Sequence, residues 1–221
     1  MYIITGCSSG LGYSITEQLL KKGFNVIGVS RSVGKCISFN QFDNFTHFSF
    51  DLAEELDFTA LDYLLDCDEI QIIINAAQFQ FEGDECLDLD RSKSIFNVNY
   101  FSAVALVEKF KDRGLKRVLF VNSVAGIDSQ NGQFQYSASK HALQSYSETL
   151  AKYSVGKNFD VMSINPGGIN SELWENVDIL KKDVTDGFIP PNELASLICK
   201  FLELSENIYI KSAIILPEHD V

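Results

Sequence analysis

An apolar tetrapeptide, Tyr2-Ile3-Ile4-Thr5, runs straight into Gly6-Cys7-Ser8-Ser9-Gly10-Leu11-Gly12, and a helical period follows from Leu11 to Lys22, ended by Gly23. Few folds tolerate that junction. Glycines permit a tight turn and a close backbone approach. A helix that starts inside such a loop aims unpaired N–H groups and partial positive charge at whatever lies in front of it, which suits phosphate oxygens. With 14 glycines in 221 residues, the spacing G-x-x-x-G-x-G arises by chance only about 0.06 times. A bare strand-to-helix turn is the poorer explanation.

The same alternation continues down the chain. Segments 25–30, 46–50, 70–75, 117–122, 159–164 and 213–216 read as further strands, and 54–65, 90–111, 135–153 and 193–204 as helices. Between Ser30 and Asp51 the polar-aromatic Lys35-Cys36-Ile37-Ser38-Phe39 leaves room for a turn or two of helix. Residues 168–190, with Gly168, Gly187 and Pro190, have no clean period and read as a mobile substrate loop holding one short helix. Strands of continuous apolar residues separated by helices demand a sheet covered on both faces, so the expected fold is doubly wound α/β with a parallel sheet of about seven strands. No repeat, linker or break in composition divides the chain, which is expected to form a single domain over 1–221.

Charge narrows the partners. Eighteen basic against 30 acidic residues give a formal charge of −12, which argues against nucleic acid, because phosphate backbones need a basic surface. No apolar run is long enough for a membrane span. Met1 leads directly into the first strand, so no secretory leader is expected. The five cysteines are odd in number, widely spaced and free of any C-x-x-C pair. A disulfide framework and a zinc site are therefore not expected, and a reducing cytoplasm is the natural home.

Two further features carry chemistry. Where nucleotide folds often place an acid that binds the adenosine ribose hydroxyls, at the end of the second strand, this chain has Ser30 followed by Arg31. A serine leaves space and an arginine offers a fork for a 2′-phosphate, so NADP is favoured over NAD. Tyr136 and Lys140, at i and i+4 in a helical segment, share one face. An ammonium beside a phenol stabilises the phenolate and lowers its pKa from about 10, making a general acid/base. A second match to the spacing, Tyr153 and Lys157, contains Gly156 and has Lys140, not a hydroxyl, thirteen residues upstream; Tyr136 has Ser123 there. Tyr153 and Lys157 are read as surface residues.

Taken in order along nearly the whole chain, these motifs resemble the short-chain dehydrogenase/reductase family. Thr5 to Gly12 is similar to its cofactor loop T-G-x-x-x-G-x-G, with Gly6, Ser8, Ser9, Gly10, Leu11 and Gly12 as the implied cofactor-binding positions. Asp51-Leu52 resembles the adenine-contacting acid and its neighbour. Ile74-Asn75-Ala76-Ala77 stands where N-N-A-G is usual, so Asn75 and Ala76 match while Ile74 and Ala77 depart. Asn165-Pro166-Gly167-Gly168-Ile169-Asn170-Ser171 is similar to P-G-x-x-x-T, with Ser171 for threonine. The resemblance implies a Rossmann-type fold and an oxidoreductase moving hydride between NADP(H) and a carbonyl or secondary alcohol. Tyr136 is then the proton donor or acceptor and Ser123 the hydrogen-bond partner of the substrate oxygen. Lys140 tunes the tyrosine and binds the nicotinamide ribose, and Asn99 holds a proton-relaying water. Pro166, Gly167, Ile169 and Ser171 border the cofactor. It also implies a homodimer or homotetramer through the helices around 90–111 and 135–153, with Phe101, Val104 and Leu143 as exposed apolar residues.

Other features have more ordinary explanations. His47, His141 and His219 are scattered, and the acidic run from Glu82 to Asp90 reads as a solvated loop entering a helix N-terminus. Cys7 reads as a packed small side chain. Phe79, Phe81, Phe134 and Trp174 line a substrate pocket or belong to the core. Two other functions compete. A nucleotide-sensing binding protein without turnover fits less well with the intact Asn99, Ser123, Tyr136, Lys140 set. A sugar-nucleotide epimerase needs a larger C-terminal substrate region than follows Gly168.

Overall fold

A computed structural model of the chain describes residues 1–54, 56–82, 88–174, 187–205 and 208–218. Seven strands form one all-parallel sheet: β1 (Tyr2–Thr5), β2 (Val26–Ser30), β3 (Phe45–Ser49), β4 (Ile70–Ile74), β5 (Leu115–Val121), β6 (Asp160–Pro166) and β7 (Ser212–Ile215), ordered β3-β2-β1-β4-β5-β6-β7. The direction of winding reverses between β1 and β4, and the crevice at the carboxyl ends of those strands is where such sheets bind ligands.

The five inner strands, β1, β2, β4, β5 and β6, are buried on both faces, while the edge strands β3 and β7 are only partly buried. Ile3 of β1, Ile72 and Ile74 of β4, and Val118 and Phe120 of β5 join one core with α3 (Ser102–Phe110) and α4 (Phe134–Tyr153). Their alternates, Ile4, Ile73, Leu119 and Val121, face the opposite core, against α1 (Gly10–Lys21) and α5 (Pro191–Leu202). Helix α1 closes on Gly23, whose φ of +84° and bond to Leu20 O at 2.9 Å form, with Phe24 N to Leu19 O at 3.1 Å, a Schellman motif.

Three sequence expectations need correction. The helix expected over 54–65 is only a 3-10 turn, Thr59–Leu64 (residue 55 lies outside the described residues). Asp51 and Asp57 accept from the amides of Ala53 and Thr59 at 3.0 and 2.9 Å, and such local side-chain bonds compete with helix formation. The helix expected over 90–111 begins as α2 (Leu89–Phe96) and passes into α3 through a π turn, Asn97–Phe101. Leu143, expected as exposed apolar surface, is 1% exposed and packs into the core beside α3. A helical residue's face is set by what it packs on, and here α4 lies on the chain's own sheet. Of its companions, Phe101 is 46% exposed and Val104 half-buried.

Candidate nucleotide and proton-transfer site

The loop after β1 is built by close backbone contact. Gly6 (φ +72°) and Gly10 (φ +52°) take left-handed conformations that only glycine adopts cheaply. A Cβ on Gly12 would lie 2.1 Å from Gly6 O, so the start of α1 rests directly on the loop. Thr5 Oγ1 accepts from the amides of Asn75 and Ala76, each at 3.0 Å, and Asn75 Nδ2 donates to Thr5 O at 3.1 Å. These bonds tie the ends of β1 and β4 together. The first turn of α1 carries no acidic residue of its own; the carboxylate that meets its N-terminus is that of Glu172, which accepts from the Gly10 amide.

A cleft of about 420 Å³ runs along the carboxyl ends of the strands. Its walls include Gly6, Ser8, Ser9, Gly10 and Leu11 from the loop, Ser30 and Arg31 after β2, Asp51 and Leu52 after β3, Asn75, Ala76 and Ala77 after β4, Tyr136 and Lys140 of α4, and Ile169 and Ser171 after β6. The sequence-chosen residues thus converge from six chain segments. Gly12, Asn99, Ser123, Pro166 and Gly167 stand outside the walls. Gly12 packs the helix on the loop, and Gly167 N pairs with Ile215 O at 2.8 Å, which places the segment after β6. The shape and chemistry suit an extended nucleotide, with glycine-lined space in front of a helix N-terminus at its middle.

At the other end of the cleft, Tyr136 and Lys140 are 7% and 1% exposed. Lys140 Nζ donates to Val121 O at 3.1 Å and lies 5.8 Å from the Tyr136 ring centre. Ser123 caps the short turn Val124–Gly126, accepting from Ala125 N at 3.1 Å, and hydrogen-bonds the Tyr136 phenol. The charges behave differently from the sequence expectation. Burial pushes the Tyr136 phenol up to about 12, only partly offset by Ser123, and pulls the Lys140 ammonium down to about 7. Desolvation penalises both charged forms, and among the protein's own groups it outweighs the pull of the ammonium on the phenolate.

Asn99 is buried within the π turn. Both its amide hydrogens are committed, to Gln78 O at 3.0 Å and Ser139 Oγ at 2.9 Å, and its Oδ1 accepts from Gln78 N at 2.7 Å. It clamps the segment after Ala77. The second pair sits elsewhere: Tyr153 is 42% exposed at the end of α4 with Lys157 Nζ 4.4 Å from its ring centre. His141 bonds its own helix through Ser137 O at 2.9 Å. Of the aromatics, Phe79 lines the cleft and packs on Tyr136 and Trp174 at 4.9 and 4.7 Å between ring centres. Phe81 covers Gly132, and Phe134 is exposed. The interior of the expected substrate loop, 175–186, lies outside the described residues, as do His219 and most of the acidic run.

Sequence reasoning passed over three residues. Gln78 meets Asn99 through its main chain, which leaves no residue-type signal, while its side chain accepts from Ser94 Oγ at 2.8 Å. Glu172 lines the cleft near Gly10 and pairs with Lys35, which holds its carboxyl below the usual range. His47 Nε2 lies 2.8 Å from Ser30 Oγ; its spacing from Ser30 says nothing until β2 and β3 are seen to be neighbours.

Residues 1–181 match the short chain dehydrogenase family. A probable short-chain type dehydrogenase/reductase of Helicobacter pylori, VdlC, is 30% identical over 181 residues, covering 79% of this chain and 66% of that protein. This chain therefore spans just under two thirds of that relative's length. Among solved structures, 4-hydroxyisoleucine dehydrogenase complexed with NADH superposes with a TM-score of 0.84 at 22% identity, over 98% of this chain and 97% of that one. The closed form of serine dehydrogenase complexed with NADP+ gives 0.82 at 19% identity, over 97% and 94%. At those identities the likeness is one of fold.

Proposed function

Because this chain belongs to the short-chain dehydrogenase family, we propose that it is an oxidoreductase interconverting a carbonyl and a secondary alcohol with NADP(H). The observation that carries the reading is the buried Tyr136–Lys140 pair, with Ser123 on the phenol, at one end of a cleft whose middle is a glycine-lined helix N-terminus.

The residues present fit a dinucleotide. Gly6, Ser8, Ser9, Gly10 and Leu11 would hold the pyrophosphate, Asp51 and Leu52 the adenine, Arg31, in the turn that follows Ser30, the adenosine ribose with its 2′-phosphate, and Lys140 the nicotinamide ribose. When bound, the nicotinamide supplies or accepts the hydride. The chain does the rest. Tyr136, protonated at neutral pH and held more firmly so by burial, gives its proton to the carbonyl oxygen in reduction and takes one back in oxidation. Ser123 hydrogen-bonds that same oxygen. Lys140, fixed by Val121 O, stabilises the phenolate as charge develops. Asn99 holds the Gln78 main chain beside the reacting centre. Phe79 offers a flat apolar wall next to Tyr136, which supports a substrate with an apolar group beside its carbonyl. A cytoplasmic location and a homo-oligomer complete the reading; the exposed ring of Phe101 supports the second.

The test is spectrophotometric. NADPH oxidation at 340 nm, followed against a panel of apolar aldehydes and ketones, gives turnover that depends on Tyr136. Absence of turnover with the whole panel in both directions, despite tight nucleotide binding, overturns the enzymatic reading in favour of a nucleotide sensor.

A further inference from the structure

We propose that His47 selects the cofactor: it positions the Arg31–Ser32 turn for a 2′-phosphate and takes up a proton when that phosphate arrives. The inference rests on the NADP reading and goes beyond it, since Ser30 and Arg31 carried that reading and His47 had no part in it.

The argument starts from a saturated hydroxyl. Ser30 Oγ donates to Ser32 O at 2.9 Å, receives the Cys7 thiol at 3.5 Å and lies 2.8 Å from His47 Nε2. A hydroxyl has one hydrogen. With that hydrogen on Ser32 O, the third bond needs Nε2–H of His47 as donor, which leaves Nδ1 bare. Ser30, buried and filled on both lone pairs, offers nothing to a ribose hydroxyl. It is a relay from His47 to the main chain of Ser32. A second strut lies beside it: Ser49 Oγ donates to Arg31 O at 2.9 Å. Strand β3 thus holds both residues of the turn, and Arg31 and Ser32 both line the cleft.

The ring's surroundings give it a second property. Strand β3 packs against β2 and the 3-10 segment Gly34–Gln41. β2 carries no titratable side chain, and the segment carries Lys35 and Cys36. Arg31 follows β2, while Asp43 and Asp51 lie beyond the two ends of β3. Burial alone moves the imidazole, holding its pKa below the usual value, and no charged group offsets this. His47 is then neutral at pH 7 with only protein groups around it. A phosphate dianion against Arg31 and Ser32 would bring negative charge to within two hydrogen bonds of the ring, through Ser32 and Ser30, and negative charge at that range favours a proton on Nδ1. A ribose hydroxyl has no such effect, so NADPH gains a cation that NADH does not.

The experiment measures NADPH and NADH dissociation constants by nucleotide fluorescence. It also measures proton uptake by calorimetry at neutral pH in two buffers of different ionisation enthalpy. The proteins are the full-length wild type, His47→Phe and His47→Gln. The wild type is expected to prefer NADPH and take up protons with NADPH alone. His47→Phe should lose about tenfold of the preference, mostly in NADPH affinity, with NADH affinity changed less than about twofold. His47→Gln keeps a donor for Ser30 and should recover part of the preference without the proton uptake. Selectivity in His47→Phe equal to a selective wild type, or equal proton uptake with both nucleotides, overturns the role of His47 while leaving the NADP reading standing. A parallel fall in affinity for both nucleotides in both variants shows a purely structural histidine and overturns it too. A wild type without preference for NADPH overturns the NADP reading itself.

Discussion

Tyr136 and Lys140 face each other inside α4 with 5.8 Å between the ammonium nitrogen and the ring centre, both closed off from bulk water. Neither holds its usual proton affinity: the phenol is pushed up to about 12 and the ammonium down to about 7, in each case by burial. Burial thus drives the two proton affinities apart, so that at neutral pH the phenol keeps a proton that an oxygen seated beside it could accept.

Tyr136→Phe removes one hydroxyl and leaves the ring against Phe79. Turnover should fall by about 10²–10⁴-fold, the contribution of a general acid/base, with NADPH binding retained. Tyr153→Phe, on the surface, should stay within about twofold of wild type. Steady-state rates on one carbonyl substrate check both, and wild-type turnover in Tyr136→Phe would sink the assignment.

Direction should respond to pH. A phenol raised to about 12 is protonated at neutral pH and ready for reduction, whereas alcohol oxidation needs the phenolate. Oxidation should therefore climb with pH from about 7 to about 10, by up to about tenfold per unit, while reduction does not. A pH-rate profile in each direction measures this; parallel profiles contradict it.

Lys140→Met should change how stability depends on pH. In the folded chain the ammonium loses its proton near 7, against 10.5 for the free group. Below about 7 both states are protonated and the cost of burying the charge is fully present. Above it, the unfolded chain still binds a proton that the folded one has released, so wild-type stability rises with pH relative to Lys140→Met, by at most about 1.4 kcal/mol per unit. Urea unfolding at neutral and alkaline pH gives the difference. Wild-type stability that stays constant or falls with pH relative to the variant refutes the burial argument.

Gly12→Ala tests the loop. The added methyl would sit 2.1 Å from Gly6 O and 2.5 Å from Asn75 Nδ2, so α1 has to shift off the loop. Overpacking of this kind costs about 1–3 kcal/mol, and nucleotide affinity should fall with it. Thermal melting and NADPH titration report the two effects separately.

Assembly is read by light scattering. Phe101 exposes 46% of its surface against Tyr100 at the π turn, and pairing with a second copy would cover it. A dimer or tetramer mass is the expected result; a monomer at micromolar concentration refutes it.

The sequence by itself determined whatever is local in period or spacing. The apolar alternation marked all seven strands, most plainly the five inner ones, because a strand buried on both faces is built almost entirely of apolar residues. The glycine spacing marked the tight turn from β1 into α1, and the i,i+4 interval put Tyr136 and Lys140 on one face. Expectations failed where one local signal masked another, as at 54–65, where aspartate side chains captured the amides a helix needs. Tertiary structure alone decided the rest. Leu143 turned inward because α4 lies on this chain's own core. Asn99 became a clamp because the π turn carries it to Gln78, and His47 reached Ser30 only when β3 paired with β2. The proton affinities were decided last, since they depend on how much water the fold removes, and no interval between residues encodes that.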